Sequence, residues 1–380
     1  MAFIGEIGMS QLIKHGEVTC GDAVEVVRND DNVVVVLSDG LGSGVKANIL
    51  SHLTTKIAAK MISSNISIED VVETLVETLP TCSVRGLAYS TFSILRIYDD
   101  GIVHLMDFDG CPVIRIHKGV IKVIQTVSFE IAGRRINEAF FRLEEDDLLL
   151  VVSDGVIEAG LGLTLPMGLG IGGLVDAIKQ HVKHIRNAQD LTNQVMEICQ
   201  SYYLSEPGDD TTAVAVRLKQ AKRLVVLTGT PPDRADDAAM VQRFLSEEGT
   251  KVICGGTTAH IFARETQREL QCSFTYVDEK IPPISQIDGV ELVTEGIVTM
   301  TEALNYFDQQ ASRSKQADGA SLLLNQFLES DDILFLVGTQ INPAYKDNDL
   351  PITFDLREAI IEKWRLRLEA LGKRVRIEKW

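Results

Sequence analysis

The sequence lacks two features that would indicate particular classes of protein. It contains 37 lysines and arginines against 54 aspartates and glutamates, which gives a formal net charge of −17. A nucleic-acid-binding protein normally presents a basic surface to phosphate, so this balance argues against a nucleic-acid partner. The sequence also has no apolar run of the roughly 18 residues that a membrane-spanning helix needs, and we expect no membrane partner.

Paired cysteines are missing as well. The six cysteines of the 380-residue chain are scattered, with no CxxC spacing and no pairing with a neighbouring histidine. This argues against a zinc site built on cysteine and suits free thiols in a reducing compartment. Residues 1–17 lack the basic segment, apolar core and cleavage site of a signal peptide. We therefore predict a cytoplasmic protein.

What the sequence does contain is an apolar strand that ends in an acid, and this pattern occurs twice. Residues 33–37 are five apolar residues, four of them β-branched, followed by a Ser-Asp-Gly tripeptide centred on Asp39. Such a run is typical of a strand buried on both faces. Residues 148–152 are followed by the same tripeptide, centred on Asp154. A carboxylate at the end of a buried strand is costly to desolvate unless a cation or several donors meet it.

Two further acids, Asp22 and Asp209, each follow a glycine beside an apolar run. Residues 23–27 and 33–37 flank a polar turn and predict a β-hairpin. Because the two strands of a hairpin are antiparallel, we expect Asp22 and Asp39 at the same end of it. Acids at several strand ends are what a carboxylate-rich metal centre requires.

Mg²⁺ and Mn²⁺ prefer such hard oxygen ligands and retain several waters. Two ions about 3.5–4 Å apart can lower the pKa of a shared water and clamp a phosphate ester. Asp39 is our candidate for the carboxylate that bridges both ions, with the Gly40 carbonyl beside it, and Asp22, Asp154 and Asp209 would complete the site. The alternative is that each acid is a turn residue bonded to backbone amides.

The order of these motifs resembles that of the PPM-type (protein phosphatase 2C-like) serine/threonine phosphatases, in the bacterial branch of stage II sporulation protein E. The resemblance covers roughly residues 18–218. The segments that carry it are Gly21-Asp22, then Ser38-Asp39-Gly40 with Gly42 and Gly44, then Ser153-Asp154-Gly155-Val156-Ile157-Glu158-Ala159, then Gly208-Asp209-Asp210-Thr211-Thr212.

The resemblance implies an α+β fold, a β-sandwich flanked by helices, with two Mn²⁺ or Mg²⁺ ions at one end. It implies hydrolysis of phosphoserine or phosphothreonine by metal-activated water, in a phosphoprotein such as an anti-anti-sigma factor of bacterial signalling. By resemblance Asp39, Asp154 and Asp209 are catalytic metal ligands, and Gly40 is a backbone ligand. Asp22 is a further ligand or an acid that supports the ligands. Asp210 is either such a supporting acid or an acid capped by nearby amides.

Two departures leave a second function open. Eukaryotic-type members carry a phosphate-binding arginine upstream of the first acid, where this chain has Lys14 and no arginine. They also carry a histidine after the Asp-Gly pair, where this chain has Leu41. The group that protonates the leaving oxygen is therefore unassigned. The alternative function is a catalytically weak pseudo-phosphatase or sensor that binds a phosphoprotein, with a ligand-binding C-terminal domain.

The charged residues 219–223 mark a domain boundary, so that 1–220 is the phosphatase-like domain and 221–380 a second domain. In the second domain strands alternate with helices, which predicts a smaller α/β domain with a mostly parallel sheet. The segment Gly255-Gly256-Thr257-Thr258 lies between a strand and a helix and is a candidate anion or ligand site, and similar polar turns follow two other strands at 228–232 and 337–339. The alternative is an ordinary turn with hydroxyl caps. The turn is neither a dinucleotide fingerprint nor a P-loop. Regulation or homodimer contacts through this domain are also left open.

Overall fold

The computed structural model describes residues 3–29, 31–64, 66–78, 90–272, 281–309, 318–340 and 356–380. The chain divides into two units, Met1–Gln220 and Ala221–Trp380. Within the described residues, no helix combines the length and the apolar character that crossing a bilayer requires.

The first unit is built from two antiparallel sheets and their covering helices. Its strands are β1 (Phe3–Leu12), β2 (Asp22–Arg28), β3 (Asn32–Gly40), β4 (Ser90–Tyr98), β5 (Ile102–Phe108), β6 (Ile114–His117), β7 (Val120–Val123), β8 (Val127–Ile131), β9 (Arg134–Arg142), β10 (Leu148–Val152) and β11 (Thr211–Gln220). Its helices are α1 (Gly44–Ser63), α2 (Ile68–Thr78), α3 (Asp154–Ile157), α4 (Gly170–His181) and α5 (Ala188–Tyr203). The strand orders are β1-β11-β10-β6-β7 and β2-β3-β4-β5-β9-β8.

The two sheets pack face to face, and each is covered by helices on its outer face. Val35 of β3 and Val151 of β10 belong to the core between the sheets. The neighbouring Val34 and Val36 belong instead to the core under α1 and α2, while α4 and α5 cover the five-stranded sheet. Strand β3 shows no apolar alternation because both of its faces are buried. The predicted α+β sandwich flanked by helices is confirmed.

The second unit is a sheet between two helical layers. Its strands are β12 (Arg223–Thr228), β13 (Thr250–Cys254), β14 (Gln271–Cys272), β15 (Ser285–Ile287), β16 (Val290–Thr294), β17 (Asp332–Val337) and β18 (Arg374–Lys379). Its helices are α6 (Asp237–Ser246), α7 (Gly256–Thr266), α8 (Ile297–Asp308), α9 (Gly319–Glu329) and α10 (Leu356–Ala370).

The sheet of the second unit has the strand order β14-β15-β16-β13-β12-β17-β18. Strands β16, β13, β12, β17 and β18 are parallel to their neighbours, and β14 and β15 add an antiparallel edge. Helices α6 and α7 pack on one face, and α8, α9 and α10 pack on the other. The predicted α/β domain with a mostly parallel sheet is confirmed.

Candidate metal centre

The hairpin of β2 and β3 places two acids opposite one another. Asp22 opens β2, Asp39 lies near the end of β3, and the two are register partners in the antiparallel pair. Asp22 is only 3% exposed. Neither of its carboxylate oxygens has a hydrogen-bond partner within the described part of the chain. The hairpin pattern therefore predicts the placement of this pair correctly. The side chains of Thr212 and Ser153 lie near the buried Asp22 carboxylate and lower its pKa, but burial outweighs them.

The other sheet supplies two more acids at the end of its neighbouring strands. Asp154 follows β10 and begins α3, and Asp209 lies just before β11. Because β10 and β11 are antiparallel neighbours, with Val152 opposite Ala213, the end of one strand lies beside the start of the other. The negative charges of Asp22, Asp154 and Asp209 all act on Asp39. The four predicted acids are thus close enough to interact.

The glycines of the two Ser-Asp-Gly tripeptides allow this close approach. A Cβ atom on Gly40 would lie 2.2 Å from the carbonyl oxygen of Ala47 in α1. A Cβ atom on Gly155 would lie 2.1 Å from the carbonyl oxygen of Asp210. Any larger residue would push the helix or the strand away, so both glycines are required by packing at the acid cluster.

Asp210 links the loop between β1 and β2 to the start of β11. Its carboxylate accepts a hydrogen bond from the amide of Gly21 at 2.8 Å and one from the amide of Lys14 at 3.0 Å. Gly21 directly precedes Asp22, so this clamp ties the position of Asp22 to the opposite sheet. Asp210 therefore positions the cluster through the backbone.

Burial and mutual repulsion shape the electrostatics of the cluster. Burial, followed by the charges of Asp22, Asp154 and Asp209, raises the pKa of Asp39 to about 10. Burial also raises the pKa of Asp22 to about 6. The pKa of Asp154 is raised by burial and by the charge of Asp209. Lys14 contributes a positive charge, with its Nζ 3.4 Å from Oδ1 of Asp209.

These residues fit divalent cations. Asp22 and Asp39 are buried carboxyls, and burial followed by neighbouring negative charge raises the pKa of Asp39. A hard cation with oxygen ligands would offset both effects. Within the described ranges, three side chains outside this cluster bring their candidate metal-ligand atoms within 4.8 Å of one another: Glu69, His104 and Glu138. Across the same ranges, no three of the four aspartates approach one another this closely. The aspartates therefore do not surround a single ion completely. This arrangement suits Mg²⁺ or Mn²⁺, which bind one or two carboxylates and keep several waters.

A small cavity of about 40 Å³ lies beside the cluster, lined by Asp39 and Asp154 together with the turn Asp109–Cys111. Within this turn Asp109 adopts a left-handed backbone conformation, with a φ of 52°. Cys111 is half-buried, and burial followed by the charge of Asp154 raises the pKa of its thiol.

Sequence reasoning missed three neighbours of the cluster: Lys14, Cys111 and Glu158. The pKa of Glu158 is raised by partial burial and by the charges of Asp154 and Asp209. Lys14 reaches Asp209 because β1 pairs with β11, with Leu12 opposite Thr211. Only a prediction of that long-range strand pairing would have placed Lys14 beside Asp209. No local sequence pattern indicates this pairing.

The four candidate residues of the second unit, Gly255, Gly256, Thr257 and Thr258, line a separate cavity of about 530 Å³. Gly255 joins β13 to α7 at the carboxyl edge of the parallel sheet, and the other three residues form the first turn of α7. Binding pockets of open α/β sheets lie at this edge.

Comparison with known proteins agrees with the fold of the first unit. The profile of the stage II sporulation protein E (SpoIIE) family matches residues 29–219. No curated protein sequence matches the chain. The PP2C phosphatase domain of SpoIIE from Bacillus subtilis, solved with a fragment of its regulatory domain, is 21% identical with a TM-score of 0.50. That alignment covers 57% of this chain and 64% of the other, so this chain spans less than two thirds of the solved protein.

Two further solved structures are similar at lower scores. The SpoIIE phosphatase domain from Bacillus subtilis, in a crystal form without domain swapping, is 20% identical with a TM-score of 0.44, over 58% of this chain and 94% of the other. RsbX in complex with magnesium is 18% identical with a TM-score of 0.41, over 57% of this chain and 100% of the other.

Proposed function

The chain belongs to the stage II sporulation protein E family, and on this premise we propose that it is a metal-dependent phosphatase that hydrolyses phosphoserine or phosphothreonine in a phosphoprotein. The observation that carries the proposal is the convergence of Asp22, Asp39, Asp154 and Asp209 from two sheets. The fold alone gives no reason for four acids to meet. Their mutual repulsion would destabilise the protein when no metal is bound, so a metal-binding role is the reason we propose for their convergence.

We propose that Asp39, Asp154 and Asp209 hold two Mn²⁺ or Mg²⁺ ions, with the Gly40 carbonyl and Asp22 completing the site. When bound, such ions activate water for attack on phosphorus and neutralise the charge that develops on the phosphoryl oxygens. Of the four acids, Asp22 is the most buried and Asp154 the most exposed. The cluster therefore opens to solvent on the Asp154 side, where a phosphorylated side chain would enter.

The chain's own residues hold the acids and attract the substrate. The hydroxyl of Ser90 donates to the carbonyl oxygen of Asp39 at 3.0 Å, which fixes the end of β3. Asp210 clamps the backbone beside Asp22. The ammonium group of Lys14 lies at the edge of the cluster, about a third exposed, and would attract the phosphate dianion where other members use an arginine.

As the substrate we propose a phosphoprotein of bacterial signalling, of the anti-anti-sigma type, in the cytoplasm. Family membership supports this proposal. A proposed role in signalling also agrees with the presence of a second unit that has its own cavity.

The test is hydrolysis of a phosphothreonine peptide by the full chain as Mn²⁺ is titrated, for the wild type and for Asp39→Asn. We expect Asp39→Asn to lower turnover roughly a thousandfold, since metal ions contribute several kcal/mol to such reactions. Asp176→Asn is the matched control, because Asp176 is an exposed acid of α4 and should leave turnover unchanged. Near-wild-type turnover by Asp39→Asn would contradict the proposal. A wild type that binds the peptide without hydrolysing it would establish the sensor instead.

A further inference from the structure

The second unit contains a cavity that the phosphatase proposal does not use. Numbered within the unit, its five parallel strands run in the order 3-2-1-4-5, so the direction of winding reverses between β12 and β17. Ligands of open α/β sheets bind outside the carboxyl ends of the strands at this reversal. The cavity of about 530 Å³ lies there, lined by residues that follow β12, β13, β16 and β17. Its volume is in the usual range for small-molecule sites.

Two helices begin at the wall of this cavity. Helix α7 starts at Gly256 and α8 starts at Ile297, and both residues line it. The first amides of an α-helix have no partner within the helix, and its dipole favours an anion at that end. Arg357 adds a guanidinium group to the same wall, where its Nη1 donates to the carbonyl oxygen of Gly338 at 3.0 Å. This chemistry suits a phosphate group.

Gly256 gives a second indication of a ligand. A Cβ atom placed on it would meet no atom within 4 Å, and its φ is not in the left-handed region. Neither packing nor backbone conformation therefore requires glycine at the start of α7. Its bare Cα borders the cavity, where a missing side chain lets a ligand approach the helix amides closely.

The cavity also carries two carboxylates, on Glu295 and Glu302. A bare phosphate would be repelled by them, whereas the hydroxyls of a sugar would donate to them. The phosphate therefore belongs at the starts of α7 and α8, beside Arg357. We propose that this cavity binds a nucleoside phosphate, with the phosphate at the starts of α7 and α8 and the sugar at the glutamates.

The experiment is calorimetric titration of the full chain with adenosine and guanosine mono- and diphosphates. Adenosine, guanosine and inorganic phosphate are titrated as fragments. EDTA is present throughout, so that phosphate binding through metal at the other unit does not contribute. The variant is Gly256→Val, whose side chain would fill the approach to α7. Gly172→Val is the matched control, because Gly172 lies in the first turn of α4 and its Cβ would also meet nothing within 4 Å.

We expect at least one nucleoside phosphate to bind about tenfold or more tightly than its nucleoside and inorganic phosphate. Gly256→Val should weaken that binding at least tenfold while Gly172→Val leaves it unchanged, and both variants should keep the wild-type melting temperature. Absence of binding at roughly 1 mM ligand would overturn the proposal. Equal binding of the nucleoside or of inorganic phosphate alone, or full binding by a folded Gly256→Val protein, would overturn it as well. None of these outcomes depends on phosphatase activity.

Discussion

Asp22 and Asp39 are register partners across the β2–β3 hairpin, so two carboxylates face each other at one end of the six-stranded sheet. Like charges directly opposite one another destabilise an antiparallel pair. Both oxygens of Asp22 are buried and unpaired within the described residues, which adds a desolvation cost. A divalent cation bound between the two carboxylates would offset both costs, and the predictions on the metal centre follow from this.

Metal removal should destabilise the wild-type protein, and Asp22→Asn should reverse the effect. In EDTA at pH 7.5, we expect Asp22→Asn to be more stable than the wild type by roughly 1–3 kcal/mol, since a buried unpaired charge is removed. With excess Mn²⁺ the wild type should become the more stable protein. Thermal unfolding with and without Mn²⁺ measures both. A wild type that Mn²⁺ does not stabilise would count against the metal centre.

Lys14 should act on phosphate rather than on folding. We expect Lys14→Gln to lower kcat/KM for a phosphopeptide about tenfold, because an attractive charge near the phosphate is lost. Lys14→Arg should keep most of the activity. Lys118→Gln is the matched control, since Lys118 has a similar ion pair with Glu144, 3.3 Å long, on the surface. Equal kinetics for Lys14→Gln and Lys118→Gln would remove Lys14 from the site.

Asp107 should give the stability a pH dependence of known sign. Its carboxylate is 5% exposed and accepts a hydrogen bond from the hydroxyl of Ser93 at 2.5 Å. Burial raises its pKa to about 6 from an ordinary value of 3.8. The folded protein therefore holds the proton more tightly than the unfolded chain, and this contribution to stability is present below pH 4 and lost as the pH rises through 6.

Asp107→Asn removes this dependence. Relative to the wild type, the variant should gain about 2 kcal/mol between pH 4 and pH 7, because one pKa unit corresponds to about 1.4 kcal/mol and part of the effect falls below pH 4. Urea unfolding of both proteins at fixed Mn²⁺ across that range measures the difference. A difference that stays constant with pH would show that Asp107 ionises as readily in the folded protein as in the unfolded chain.

Loss of Trp364 should affect the second unit alone. The indole ring of Trp364 is fully buried, and its centroid lies 4.6 Å from the centroid of the Phe327 ring. Its Nε1 donates a hydrogen bond to the carbonyl oxygen of Met300 at 3.1 Å. Trp364→Ala should cost that unit about 3–5 kcal/mol. Manganese-dependent hydrolysis of p-nitrophenyl phosphate should be unchanged, since the four acids belong to the first unit. Leu366→Ala, at an exposed position of α10, is the control; a large loss of hydrolysis in Trp364→Ala alone would contradict the prediction.

Local sequence patterns predict much of the structure around the acids. The valine-rich residues 33–37 form a strand buried on both faces, and the polar turn before them places Asp22 opposite Asp39. Alternation of strands and helices predicts the parallel sheet of the second unit. In these cases a short segment carries the whole signal, because apolar periodicity and turn chemistry act within a few residues.

Long-range pairings could not be predicted in the same way. The contact of Lys14 with Asp209 depends on the pairing of β1 with β11, which are about 200 residues apart. The hairpin of β8 and β9 carries charged residues and exposed faces along its length, so its apolar pattern is weak. The strand order of the second sheet, and with it the position of the cavity, follows from packing of the whole unit.

The most direct test of the metal centre is anomalous scattering at the manganese edge from crystals of the full chain soaked in Mn²⁺. We predict two peaks at the acid cluster, one or both of them about 2 Å from a carboxylate oxygen of Asp39. Peaks confined to other groups, such as Glu69, His104 and Glu138, or no peak near Asp39, would contradict the metal centre and the phosphatase proposed from it.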